Sequence, residues 1–372
     1  MSSHAQDVLP STPILVTEGL RRDFSQPADF IDRIGRTLRR RGAPLPVQAV
    51  AGVDLEVFHR EVLAIVGESG CGKTTLGRML TGIIPPTAGR VLYRGSDVTH
   101  MRGAERRAYE LGVQMIFQDP FSSLNPRMRV RDIVGEAPVV HGLVSRAERD
   151  DYVCELLQKV GLDPDYRERY PHQFSGGQRQ RIGVARALAL KPDIIVCDEA
   201  VAALDVSIQA QVLNLFMDLR RDFDLTYVFI SHNLGVVSHI SDRVAIMYLG
   251  RIVELAPTEQ VFADAAHPYT QALLKELPVL SAGKRQFDPI VGELPSPADP
   301  PPGCTFHPRC PLAMARCRVE RPMLREVSDS HWSACHLNDG MGPTGAQRNG
   351  AGTEVATLSP YVEPEKNSTE AA

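Results

Sequence analysis

One short glycine-rich segment, Gly67-Glu68-Ser69-Gly70-Cys71-Gly72-Lys73-Thr74, limits what this 372-residue chain can fold into more than any other feature. An apolar run, Glu61–Val66, precedes it, and a helical pattern from about Lys73 to Leu80 follows. The glycines let consecutive N–H groups curl inward without Cβ clashes, which makes an anion-binding nest. The helix behind the nest aims its positive end at the same point. In this setting Lys73 can reach the β- and γ-phosphates of a nucleotide, and Thr74 can offer its hydroxyl to Mg²⁺. A buried strand, a phosphate loop and a helix in that order also predict a parallel α/β sheet.

The rest of the chain fits that frame. Ile14–Val16 and Val47–Val57 read as strands, and Asp193–Cys197 and Thr226–Ile230 as buried strands separated by a helix over about Ile208–Asp222. Val244–Tyr248 and Arg251–Leu255 flank Leu249-Gly250 as a hairpin. Between about Asp119 and Leu190 the pattern is mostly helical, with Tyr152, Leu156, Leu157 and Val160 on one face. Asp29–Arg41 places Phe30, Ile31, Ile34 and Leu38 at helical spacing among arginines. This reads either as a solvated insertion helix or as a contact for anionic lipid headgroups.

Ile194–Cys197 ends in two adjacent carboxylates, Asp198 and Glu199, at the sheet edge where ligands of parallel sheets bind. Asp198 suits Mg²⁺. Glu199, on the opposite side of the strand, is placed to poise a water as general base. A second phosphate-grade motif, Ser175-Gly176-Gly177-Gln178, opens the long helix Arg179–Leu190. One ATP needs one phosphate loop, so the second nest makes sense if it closes over ATP held by a neighbouring subunit.

Taken together these motifs resemble the ATP-binding-cassette (ABC) ATPases. The resemblance implies a P-loop NTPase (RecA-like) nucleotide-binding domain over about 12–280, with a helical subdomain at about 119–190 and an antiparallel β subdomain. It implies ATP contacts from Gly67 through Thr75, with Gln118 sensing the γ-phosphate and the Mg²⁺ held by Thr74, Gln118 and Asp198. Glu199 and the switch residue His232 would be catalytic, and Asp205 would lie in the loop that bridges subunits. Phe24 is the nearest match to the aromatic that stacks on adenine. Two departures are visible: Ala200 stands where many cassettes have Pro, and Ala202 where many have Ser before Ala-Leu-Asp. Neither removes a charge or a ligand.

His267-Pro268-Tyr269-Thr270, Gly292–Pro297 and Phe121–Arg127 resemble oligopeptide and dipeptide importers. That likeness implies ATP-driven import of short peptides or a related small solute. It also implies two permease subunits, a second and non-identical ATPase subunit, and a solute-binding protein outside the membrane. The segment 281–340 would be the importer-type C-terminal extension, and 341–372 a disordered tail.

Composition bears on the alternatives. A net charge of −4 argues against a general nucleic-acid binder, which disfavours the rival reading of a soluble ABC ATPase acting on nucleic acid or ribosomes. No apolar run approaches the roughly 18–20 residues that span a bilayer, and the N-terminus lacks a signal-peptide pattern. A peripheral place on the cytoplasmic face of the inner (plasma) membrane is therefore expected. Disulfides are not expected there, yet Cys304, Cys310, Cys317 and Cys335 cluster in a proline-rich, core-poor segment. Four thiolates accept either a [4Fe-4S] cluster or Zn²⁺. Their wide spacing and the family resemblance favour iron–sulfur, and unmetallated thiols are the third reading.

Overall fold

Residues buried on both sides build the centre of the molecule. The computed structural model describes residues 12–24, 46–119, 123–202, 204–277 and 292–340. The arginine-rich helix expected over 29–41, the tail 341–372, residues 281–291 and Phe121-Ser122 lie outside the described residues. In chain order the elements are β1 (Leu15–Phe24), β2 (Val47–Val57), β3 (Val62–Val66), α1 (Lys73–Leu80), β4 (Ala88–Tyr93), β5 (Ser96–Asp97), α2 (Gly103–Gly112) and β6 (Val113–Ile116). There follow α3 (Val130–Val140), α4 (Arg149–Lys159), α5 (Gly176–Leu188), β7 (Ile194–Asp198), α6 (Val206–Phe223), β8 (Thr226–Ser231) and α7 (Leu234–Ile240). The chain continues through β9 (Arg243–Tyr248), β10 (Arg251–Pro257), α8 (Thr258–Ala263), α9 (Pro268–Lys275), β11 (Arg325–Ser328) and β12 (His331–Ser333).

The main sheet has the order β11-β12-β10-β9-β3-β8-β7-β6. Strands β9, β3, β8, β7 and β6 pair in parallel, and β10, β12 and β11 continue the sheet antiparallel. Strands β3 and β7 are buried at every position, as helices on both faces require. The strand period of two sorts their side chains. Ile194, Val196, Val228 and Ile230 enter one core with α1 and β1–β4. Ile195, Cys197, Tyr227 and Phe229 enter the other, with α4, α5 and α6. A second sheet, β2-β1-β4-β5, is antiparallel throughout and covers the first core.

Some elements escaped the sequence pattern. The short N-terminal strand continues to Phe24, through register shifts that break strict alternation. β4 begins with three exposed residues, and α2 has no side-chain N-cap, so neither shows a clean period. β6 spans four residues on the edge of the parallel sheet. The main difference lies near the C-terminus. Part of the segment expected to form an extension supplies β12, whose Glu254↔Ser333 and Leu255↔Trp332 pairings join it to the main sheet.

That junction is buried. Trp332, the chain's single tryptophan, is 1% exposed within the first core. His331 Nε2 lies 2.7 Å from Oε1 of the fully buried Glu254, which also accepts the N–H groups of Ala266 and His267. Replacing Trp332 by Ala should cost about 3–5 kcal/mol, as large-to-small changes in packed cores do. Urea titration followed by circular dichroism measures this. In the parent, Trp332 fluorescence should report the same transition as circular dichroism if the segment unfolds with the sheet.

Candidate nucleotide site

The phosphate loop runs from β3 into α1, and its glycines are required by contact as well as by conformation. Gly72 caps α1 at φ +108°, and a Cβ there would overlap the Ala49 carbonyl oxygen. A Cβ on Gly67 would overlap the Met247 carbonyl oxygen in the same way. The loop is also tied into the sheet edge: Gly250 N donates to Cys71 O at 2.8 Å, and Ala51 N donates to Gly250 O at 2.8 Å. Lys73 is buried, and its ammonium donates to the carbonyls of Gly67 (2.7 Å) and Glu68 (2.9 Å). Ser69 and Gly70 face solvent, and Thr75 is half-buried in the first turn of α1. Burial pushes the Cys71 thiol up, so Cys71 fills space in this loop as a neutral group.

Opposite the loop stands the end of β7. Thr74 Oγ1 donates to Asp198 Oδ1 at 2.9 Å, which puts a hydroxyl and a carboxylate side by side as hard oxygen donors. Glu199 does not continue the strand alternation expected for it. Its backbone turns to φ +46°, and its N–H donates to Ile230 O at 3.0 Å. That turn sends its carboxylate to two other residues. Gln118 Nε2 donates to Glu199 Oε2 at 2.8 Å, and His232 Nδ1 lies 3.4 Å from Glu199 Oε1. Gln118, Asp198, Glu199 and His232 come from the ends of β6, β7 and β8, so parallel pairing delivers them to one edge.

Burial raises the Asp198 carboxyl above its usual range, the Thr74 hydroxyl lowers it, and the neighbouring Glu199 raises it further. The net direction is upward, so protonation stabilises the folded form.

Other expected residues lie apart. Ser175 caps α5, accepting from Gln178 N at 3.3 Å while Gln178 Oε1 accepts from Ser175 N at 3.1 Å. This reciprocal box starts the helix at Gly176, three residues before the expected Arg179. Gly177 leaves room for Ile208, whose Cγ2 would be 2.6 Å from an added Cβ, so the motif packs beside the start of α6 and its N-cap Asp205. Phe24 ends β1, 37% exposed, with the Arg22 guanidinium 4.8 Å from its ring centroid.

The four C-terminal cysteines line one small cavity together with His267, Phe306, His307 and His336. Burial pushes the Cys304 and Cys310 thiols up, and Cys335 to about 11, with the facing thiols adding to each shift. Among the described residues, no group of three or more His, Cys, Asp or Glu is arranged to hold a metal ion. His267 is neutral, pushed down to about 4 by burial, and its Nδ1 accepts the Tyr269 N–H at 3.0 Å to cap α9.

Two contacts on the phosphate loop were not foreseen from the sequence. Tyr269 Oη accepts the Glu68 N–H at 2.9 Å, and Arg309 Nη1 donates to Glu68 Oε2 at 2.8 Å. The His-Pro-Tyr motif was visible in the sequence, but nothing local to Arg309 pointed across 241 residues.

Comparison with known proteins agrees with this geometry. Residues 50–202 match the ABC transporter family, and residues 253–317 match the oligopeptide/dipeptide transporter C-terminal region. The oligopeptide transport ATP-binding protein AppF of Bacillus subtilis is 51% identical over 78% of this chain and 90% of its own length. The dipeptide transport ATP-binding protein DppF of Haemophilus influenzae is 44% identical over 88% of this chain and 98% of its own. Among solved structures, cbiO1 from Clostridium perfringens, part of an ABC transporter complex, superposes with a TM-score of 0.56 at 25% identity. That match covers 68% of this chain and 91% of that one.

Above its raised pKa, the Asp198 charge weakens the nucleotide-free fold, and acidification through that pKa removes the penalty. Asp198→Asn should therefore raise the Tm of the nucleotide-free protein at pH 7, with the gain shrinking towards pH 4. Scanning calorimetry at the two pH values is the check.

Proposed function

Because this chain belongs to the oligopeptide/dipeptide-type ABC transporter ATP-binding proteins, we propose that it hydrolyses ATP to energise import of short peptides through membrane permease subunits. The relatives AppF and DppF are oligopeptide and dipeptide transport ATP-binding proteins, which favours this reading over a soluble ATPase acting on nucleic acid or the ribosome. No helix among the described residues is long and apolar enough to cross a membrane, so passage of the solute falls to the permeases. The cytoplasmic face, a second and non-identical ATPase subunit and an external solute-binding protein belong to the same proposal.

The observation that carries the ATP-hydrolysis step is the meeting of Gln118 and His232 on Glu199, beside the Thr74–Asp198 pair. The loop N–H groups and Lys73 bind the phosphates, and Lys73 exchanges its loop carbonyls for phosphate oxygens. Thr74 and Asp198, together with Gln118, would hold Mg²⁺, which would supply charge neutralisation at the γ-phosphate. Glu199 accepts a proton from the attacking water, while Gln118 and His232 fix its carboxylate. Ser175–Gln178 serves the ATP of the second ATPase subunit, and Asp205 sits at that interface. Phe24 supports the adenine, and the 118–127 segment passes closure to the permeases.

The cysteine set is a separate part of the proposal. Four thiols on one cavity suit a soft metal centre, although their present arrangement is not that of a metal-holding group. A visible absorption band that bleaches with dithionite, in protein purified without oxygen, supports a [4Fe-4S] cluster. Stoichiometric zinc without that band overturns it.

Glu199→Gln keeps size and hydrogen bonding but removes the base. ATP binding should persist while turnover falls by about 10²–10⁴-fold. Phosphate release and equilibrium ATP titration together measure this, and undiminished turnover would refute the assignment.

A further inference from the structure

Glu68 is an acidic residue inside a loop that must receive a polyanion. An uncompensated carboxylate at that position would repel the phosphates, strongly so where water is excluded. Arg309, 241 positions away, meets it. The side chains of Arg309 and Glu68 are only 7% and 22% exposed, so the pair is shielded from solvent. Arg309 is held in turn by its surroundings. Its N–H donates to Phe306 O at 3.0 Å, and its guanidinium lies 6.0 Å from the Tyr248 ring centroid. Tyr248, Tyr269 and Phe306 pack against one another with centroids 4.7–5.4 Å apart. Tyr269 Oη, from the same box, accepts the Glu68 N–H. All three polar groups of Glu68 are thus engaged: its N–H by Tyr269, its carboxylate by Arg309 and its carbonyl by Lys73.

We infer that Arg309 is a positioning residue for ATP, which acts from the C-terminal segment by neutralising Glu68 in the phosphate loop. The segment thereby becomes part of the nucleotide site. Cys310 directly follows Arg309, so one short stretch of backbone carries both a residue of the cysteine-lined cavity and the side chain that meets the phosphate loop. The inference rests on the ATP-site reading proposed above.

The test is equilibrium titration of the purified full-length chain with Mg²⁺-ATP, alongside thermal unfolding without nucleotide. Arg309→Gln leaves Glu68 charged and unpaired, and the dissociation constant should rise roughly tenfold, more at low salt than at high. Adding Glu68→Gln removes the stranded charge, so the double variant should bind within about threefold of the parent. Arg309→Lys, which keeps the charge, should also stay close to the parent. A purely structural role predicts the reverse: the double variant is at least as weak as Arg309→Gln, and that result overturns the inference. So does unchanged affinity in Arg309→Gln. If Arg309→Gln does not fold, the double variant and Arg309→Lys carry the test, and tenfold weaker binding by either overturns it. Lys73→Ala separates the two readings. Loss of binding there upholds the ATP site whatever Arg309 does, and parental binding there means the site itself is misplaced.

Discussion

The structure depends on one close approach, in which the phosphate loop lies against backbone from two other segments with no room for side chains. Gly67 sits under the Met247 carbonyl and Gly72 under the Ala49 carbonyl. Gly250, at φ +77°, joins the three segments by donating to Cys71 O and accepting from Ala51 N. The antiparallel sheet, the loop and the β9–β10 hairpin therefore cannot move independently. This rigidity holds the loop backbone in place before any nucleotide arrives, which is what preorganised binding requires.

Parallel pairing does the rest. The C-terminal ends of β6, β7 and β8 come from distant parts of the chain, yet the sheet brings Gln118, Asp198, Glu199 and His232 to one edge. Buried strands need covering helices, and α1 and α5 supply that cover while carrying Lys73 and the Ser175 cap at their N-termini. The elements that stabilise the fold thus also place the chemistry. Glu199 is the exception, since its left-handed backbone at φ +46° is uncommon for a residue with a Cβ. Its strain is tolerated where it turns a carboxylate towards Gln118 and His232, as strained residues at functional sites often do.

The C-terminal segment alters the picture of a cassette with an appendage. Strand β12 extends the main sheet, Trp332 enters its core, and Arg309 reaches the phosphate loop. Such a segment has little periodicity of its own because its order comes from pairing with β10 and from the aromatic box around Tyr248. Neither contact leaves a local pattern in residues 292–340.

Gln118 and His232 are named only through the family resemblance; by itself, the sequence determined the phosphate loop, the helix Lys73–Leu80, the buried strands and the carboxylate pair Asp198-Glu199. Each of these is written in short-range rules: glycine where Cβ cannot fit, apolar runs where both faces are covered, and carboxylates at a strand end. Only the tertiary structure decided which way Glu199 turns, that β12 joins the sheet, and that Arg309 faces Glu68. These are contacts between segments far apart in sequence, or backbone turns set by what surrounds them. Spacing within one stretch carries no trace of such contacts, because the partner that selects each conformation is supplied by the fold.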